Sequence, residues 1–164
     1  EVDSIEIATF NASYEIIGGE PEKWRPQGRE TADHSLPYIT CACLVDGEVT
    51  LATYDERRFR DESLLSLVAK TKVVADPTLD KLYPEGGIPN RVTVRLKDGT
   101  TFEKRVDAPS GHALNPMTDD EVVAKFHSMA EPMLRQRQIE EALDMMWRLD
   151  EVDDLSELVE SFVV

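Results

Sequence analysis

The sequence predicts an α+β fold, with a small, largely antiparallel sheet, helices on one side of it, and further helices at the C-terminal end. Two observations carry this expectation. Apolar and polar residues alternate at the start of the chain and again on both sides of Asp98-Gly99, whereas the segments between and after carry apolar residues at helical spacing. Apolar residues make up 41% of the 164 positions and charged ones 31%, a balance that suits a globular chain folding around a core. The periodicity changes at Gly111. That divides the chain into an α+β part, residues 1–110, and a helical extension, residues 111–164.

Taken in order, Ser4 to Thr9 alternates through Ile5 and Ile7, as a half-buried strand does. Gly18 to Gly28 holds tandem glycines, Pro21 and Pro26, and reads as a loop carrying Lys23, Trp24 and Arg25. Thr31 to Val45 reads as a helix, with Asp33 and Ser35 as possible N-caps and Pro37 in the first turn. It is almost uncharged after Pro37 until Asp46-Gly47, so burial on most sides is expected, with Cys41 and Cys43 packing in the core. A second helix starts at Asp61 and carries Leu64, Leu65, Leu67 and Val68. Val73-Val74 opens a strand that Asp76-Pro77 closes. Val92, Val94 and Leu96 lead into Asp98-Gly99, and Phe102 and Val106 lead away, which predicts a two-residue hairpin with a type I′ turn.

Beyond Gly111, Thr118 and Glu121 have the spacing of a capping box, ahead of a stripe of Val122, Phe126, Met129 and Met133 that Pro132 ends or kinks. Ile139, Leu143, Met146 and Trp147 form another stripe, and Leu155, Leu158, Val159 and Phe162 a third. The residues before them are too few to cover these faces, so they are expected to pack against an absent domain or a second subunit. The chain opens at Glu1 with no initiator methionine, which points to a fragment of something longer. There is no internal repeat or low-complexity tract.

Acidic residues outnumber basic ones 33 to 18, a formal charge of −15, and no Lys/Arg stripe interrupts the excess. Such a field repels phosphate backbones, so no nucleic-acid partner is expected. The longest nearly uncharged stretch, Ser35 to Val45, is too short to span a bilayer, and no signal peptide is visible. Two cysteines without a disulfide pattern fit a reducing cytoplasm or an organelle matrix.

Phosphate loops, nucleophile elbows and H-E-x-x-H are absent from the sequence. His34, His112 and His127 lie far apart, so no metal site is expected, and His127 reads as a partly buried structural residue. The chemistry-bearing stretch is Lys23 to Tyr38. It gathers Lys23, Arg25, Arg29, His34 and Tyr38 at the entrance to the first helix. Two readings stand. In one, cations and a helix N-terminus hold carboxylates while Tyr38 hydrogen-bonds or donates a proton. In the other, Tyr38 merely packs and His34 caps.

The run Arg29-Glu-Thr-Ala-Asp-His-Ser-Leu-Pro-Tyr38 resembles the signature of the MmgE/PrpD family in its C-terminal domain. Lys23-Trp24, Asp46-Gly47, Asp76-Pro77, Tyr83-Pro84, the hairpin around Asp98-Gly99 and Lys125-Phe126 agree in order, so the resemblance runs from Val2 to Phe126. It implies a small α+β domain beside a large helical one, with the last helices packing on that helical domain, often in a homodimer. It also implies acid/base chemistry on a small di- or tricarboxylate in the cleft between domains, with no metal and no cofactor. Of the family's site residues, Tyr38 is the one the signature places. His34 matches too, as a catalytic or capping residue, and Arg29 and Lys23 become carboxylate partners. The intact Glu30–Tyr38 run is most like the 2-methylcitrate dehydratase branch. Cis-aconitate decarboxylase, iminodisuccinate epimerase and a non-catalytic dimerisation module remain as alternatives, and the chain alone is expected to be inactive.

Overall fold

The protein is described by a computed structural model covering residues 1–163. It forms two compact units, one from Glu1 to Leu114 and one from Asn115 onward.

The first unit is built on a four-stranded sheet in the order β2-β1-β3-β4. The strands are β1 (Val2–Thr9), β2 (Thr71–Ala75), β3 (Asn90–Leu96) and β4 (Thr101–Val106). β1 pairs antiparallel with β3, and β3 antiparallel with β4, but β1 and β2 run parallel. The sheet is therefore mixed. A parallel pair needs a long crossover, and residues 10–70 supply one that carries the longer helices of this unit. Those are α1 (Arg29–Asp33), α2 (Leu36–Asp46) and α3 (Glu62–Val68), with shorter turns between them. Ile5, Ile7 and Val73 point to one face and join Tyr38, Cys41, Leu64 and Val68 in the core. On β1 the predicted alternation holds at Ile5, Glu6 and Ile7, then gives way to the buried pair Ala8 and Thr9.

The single helix expected over Thr31–Val45 is two. α1 ends at His34, whose amide donates to the Glu30 carbonyl, and Ser35 restarts the chain as N-cap of α2 with its hydroxyl accepting from the Tyr38 amide. The reason is local. Pro37 has no N–H to give to a helix running on from residue 33, but fits the first turn of a new one. α2 stops at Gly47, which takes the left-handed conformation at φ 84°. Its burial is one-sided, correcting the expectation of burial nearly all round. Pro37, Tyr38, Cys41 and Ala42 are inside, whereas Leu44 and Val45 are exposed. Cys43 is exposed as well, so only Cys41 packs in the core, with its sulfur 3.2 Å from Thr71 Oγ1. Two residues along a helix is more than half a turn, so the two side chains cannot share an environment.

The hairpin differs from expectation by one residue. Leu96 N–H donates to the Thr100 carbonyl and Gly99 N–H to the Leu96 carbonyl, which leaves three loop residues, Lys97, Asp98 and Gly99. Only Gly99 has positive φ, at 88°. A type I′ turn needs positive φ at both central positions, so Asp98 excludes it; the loop is a type I turn followed by a left-handed glycine.

In the second unit, α4 (Asp119–Ala130) opens on the predicted capping box, with Thr118 Oγ1 accepting from Glu121 N–H and Glu121 Oε2 from Thr118 N–H at 2.8 Å. Its packed side is Val123, Phe126, His127 and Ala130, whereas Val122, Met129 and Met133 of the expected stripe are exposed. α5 (Gln136–Trp147) buries Ile139 and Ala142 and leaves Trp147 exposed. α6 (Ser156–Ser161) is followed by Phe162, which meets Phe126 edge-on at 6.4 Å. Leu155 and Val159 face outward.

Candidate functional site

The signature run folds as a helix, a corner and a second helix, and Ser35 holds the corner. Its hydroxyl donates to the Lys23 carbonyl while accepting from the Tyr38 amide, so the 3-10 turn Pro21–Trp24 is tied to the start of α2. Ser35 is completely buried, and both bonds are made where water cannot replace them.

The predicted cations do not converge. Lys23 is buried, and its ammonium is taken by Glu20 at 3.5 Å and Glu22 at 3.4 Å. Arg25 pairs with Glu62 across to α3. Arg29 is exposed at the start of α1, with no ion pair among the described residues. His34 is exposed at the other end of that helix, its Nδ1 bonded to the Glu30 carbonyl and to Asp33. Those two bonds, the backbone one first, favour the imidazolium and raise the His34 pKa, while the charge of Lys23 works against them. His34 thus closes α1 rather than capping the entrance of α2, which Ser35 does.

Tyr38 is fully buried one turn into α2. Its hydroxyl donates to the Thr53 carbonyl at 2.5 Å. Burial pushes the phenol up to about 12, while the nearby Arg58 guanidinium opposes that rise. At neutral pH it is therefore a hydrogen-bond donor and not an anion.

Two residues in contact with this phenol's surroundings escape a reading of the sequence. Thr53 lies in the turn Leu51–Tyr54, and Arg58 sits between Asp46 and Asp61, bonding to both. Nothing in their spacing marks them, because the Tyr38–Thr53 and Asp46–Arg58 contacts join positions 15 and 12 apart.

Among the described residues no group of three His, Cys, Asp or Glu side chains could hold a metal ion. No described helix is long and apolar enough to cross a membrane.

Comparison with known proteins adds the family. Residues 1–151 match the MmgE/PrpD C-terminal domain. The chain is 30% identical over 137 residues to cis-aconitate decarboxylase of Mus musculus, covering 81% of this chain and 27% of that protein. It is 32% identical over 117 residues to 2-methylcitrate dehydratase of Escherichia coli (strain K12), covering 69% of this chain and 24% of that protein. The chain thus spans about a quarter of the length of these curated relatives. With the signature corner, the mixed sheet and a match over most of its length, the chain belongs to the MmgE/PrpD family, of which residues 1–151 are the C-terminal domain.

Proposed function

We propose that the full-length protein is a metal-independent lyase that eliminates water from 2-methylcitrate, and that this chain supplies one wall of the site. The observation that carries the reading is the state of α1. Its two ends present the exposed Arg29 and His34, and Arg29 has no ion pair among the described residues, in a segment whose other cations already have acidic partners. An unpaired guanidinium matches a carboxylate in geometry and charge. Arg29 is thus the foremost substrate partner, and Lys23, already held by two glutamates, a lesser one.

Dehydration next to a carboxylate needs a base for the carbon-bound proton and an acid for the departing hydroxyl. In this reading Tyr38 serves the departing hydroxyl, and its proton must then exchange the Thr53 carbonyl for the substrate. His34, with its raised pKa, retains positive charge nearer to neutrality and supports charge developing on the substrate. The base comes from outside these residues, so the chain alone does not turn over. The functional unit is a homodimer.

A second reading, decarboxylation of cis-aconitate, has one observation in its favour. The match to the mouse decarboxylase covers 81% of the chain, against 69% for the bacterial dehydratase. Both substrates are tricarboxylates, so the same cationic wall serves either.

The test is a paired assay on the full-length protein with chelator present. A rise in ultraviolet absorbance with 2-methylcitrate marks formation of the conjugated alkene, and carbon dioxide release from cis-aconitate marks decarboxylation. Activity on cis-aconitate alone selects the second reading. Tyr38→Phe should slow the reaction by roughly tenfold to a thousandfold; a loss under threefold removes Tyr38 from the mechanism.

A further inference from the structure

Residues 47–61 join α2 to α3 as a strap, and one side chain fastens both of its ends. Arg58 Nε and Nη2 donate to the two carboxylate oxygens of Asp46 at 3.1 and 2.6 Å, and Nη1 donates to Asp61 Oδ2 at 2.8 Å. Asp46 is the last residue of α2, and Asp61 caps α3 by accepting from the Ser63 amide. The planar fork of an arginine can meet one carboxylate with two N–H groups and a second with its third nitrogen; the point charge of a lysine cannot. The Arg58 side chain is 21% exposed, so water competes only in part for these bonds.

Inside the strap, Thr50 and Thr53 lock a tight turn. Thr53 N–H donates to the Thr50 carbonyl at 3.1 Å, and Thr50 N–H to Thr53 Oγ1 at 3.0 Å. Thr53 is 3% exposed, and its carbonyl is the acceptor for the Tyr38 hydroxyl. The phenol has one proton to donate, and before substrate takes it the bond to this strap carbonyl fixes where the hydroxyl lies. Asp46 and Asp61, at the two ends of the strap, also act on the phenol through their charges, as Arg58 does in the opposite sense.

We propose that Arg58 is a positioning residue for Tyr38, clasping the strap between Asp46 and Asp61 so that the Thr53 carbonyl holds the phenolic hydroxyl in place. The proposal rests on the reading that Tyr38 acts in the reaction, and it adds the residue that fixes the place of its hydroxyl before the proton is transferred. Arg58 itself touches no substrate. Loosening the clasp therefore alters the rate of the chemical step and leaves substrate affinity alone.

The experiment uses the full-length protein with Arg58→Met, Arg58→Lys, Tyr38→Phe and the double variant Arg58→Met/Tyr38→Phe. Arg58→Met is expected to lower kcat by about tenfold with KM within about twofold, since a small misplacement of a reacting group costs rate more than binding. In the Tyr38→Phe background the same substitution is expected to change kcat by less than about twofold, because the group it positions is gone. Arg58→Lys, which keeps the charge without the fork, falls between wild type and Arg58→Met; it is also the milder variant should Arg58→Met fold poorly. Amide hydrogen exchange over residues 47–61 is expected to speed up by at least about tenfold in Arg58→Met, with β1 and β3 unchanged. Equal loss of kcat in both backgrounds, or a rise in KM alone, overturns the positioning role. Unaltered exchange over 47–61 with Tyr38→Phe still slow overturns the clasp while sparing the functional reading. A Tyr38→Phe protein at full rate removes Tyr38 from the mechanism, and the kinetic claim for Arg58 with it.

Discussion

The indole Nε1 of Trp24 donates to the main-chain carbonyl of Thr71 at 2.8 Å. This bond pins the Pro21–Trp24 turn to the first residue of β2, 47 positions further on. Trp24 is half-buried and packs against the core cluster, so the turn that precedes the signature has a fixed place on the sheet edge.

Trp24→Phe keeps most of the ring contact and removes the donor, leaving a carbonyl with one partner fewer. Its expected cost is about 1–2 kcal/mol. Urea unfolding should show a lowered midpoint with an unchanged slope; an unchanged midpoint would mean that water replaces the indole at no cost.

Ser35→Ala removes two bonds at once from a site without solvent, the cap on α2 and the tie to the Lys23 carbonyl. The loss expected is about 2–3 kcal/mol, above the roughly 1 kcal/mol typical of an exposed cap. Thr118→Ala provides that comparison, because its capping box lies at the surface. Equal losses from the two substitutions would show that burial of the Ser35 corner adds nothing.

Gly87 and Gly47 both have positive φ, 111° and 84°, but only one is crowded. A Cβ on Gly87 would lie 2.3 Å from the Asp107 carbonyl oxygen, and that oxygen is already held by Ile88 N–H at 2.9 Å. A Cβ on Gly47 meets nothing within 4 Å. Gly47→Ala is expected to cost about 1 kcal/mol, from its backbone conformation alone, and Gly87→Ala about 3 kcal/mol or more, with the steric clash added. Paired denaturation curves check the order, which the clash argument does not allow to reverse.

Two titrating groups act on stability with opposite signs. The Thr78 hydroxyl and amide, then Arg91, hold the Asp76 carboxyl below its usual range. A depressed folded pKa means stability that is present above the unfolded pKa and lost as pH falls, here below about pH 4. Asp76→Asn should therefore lose less on acidification from pH 6 to pH 3 than wild type does. His34 is raised, chiefly by the Glu30 carbonyl and then by Asp33, so its contribution is complete below about pH 6.5 and fades as pH rises through the folded value. His34→Gln should flatten the decline above neutrality. Unfolding midpoints across pH 3–9 test both, and an acid limb of wild-type steepness in Asp76→Asn would refute the first.

Much of the fold was legible because its signals are local. The alternation at Ile5 and Ile7, the helix start at Asp61, the stop at Asp76-Pro77 and the Thr118–Glu121 box each depend on residues within a few positions of one another, and each stands in the structure to within a residue. Mistakes arose where two local signals competed. Asp33 and Ser35 both offered an N-cap for the segment Thr31–Val45, and Ser35 takes that role for α2 because Pro37, without an N–H, fits only the first turn of a new helix. At the hairpin, Asp98-Gly99 signalled a two-residue turn, but Asp98 keeps negative φ and the loop takes in Lys97 as a third residue.

The strands, most of the helix ends, the acidic balance and the signature run Arg29–Tyr38 can be read along the chain, since all of these follow from neighbours in sequence. It took the folded chain to show that β2 lies parallel to β1, that Arg25 pairs with Glu62 while Arg29 has no ion pair among the described residues, and that the Tyr38 hydroxyl is held by Thr53 behind the Arg58 clasp. The physical reason is range. Hydrogen bonds and ion pairs form between groups a few ångströms apart in space, and a distance along the sequence does not set that separation until the sheet and its crossover have closed.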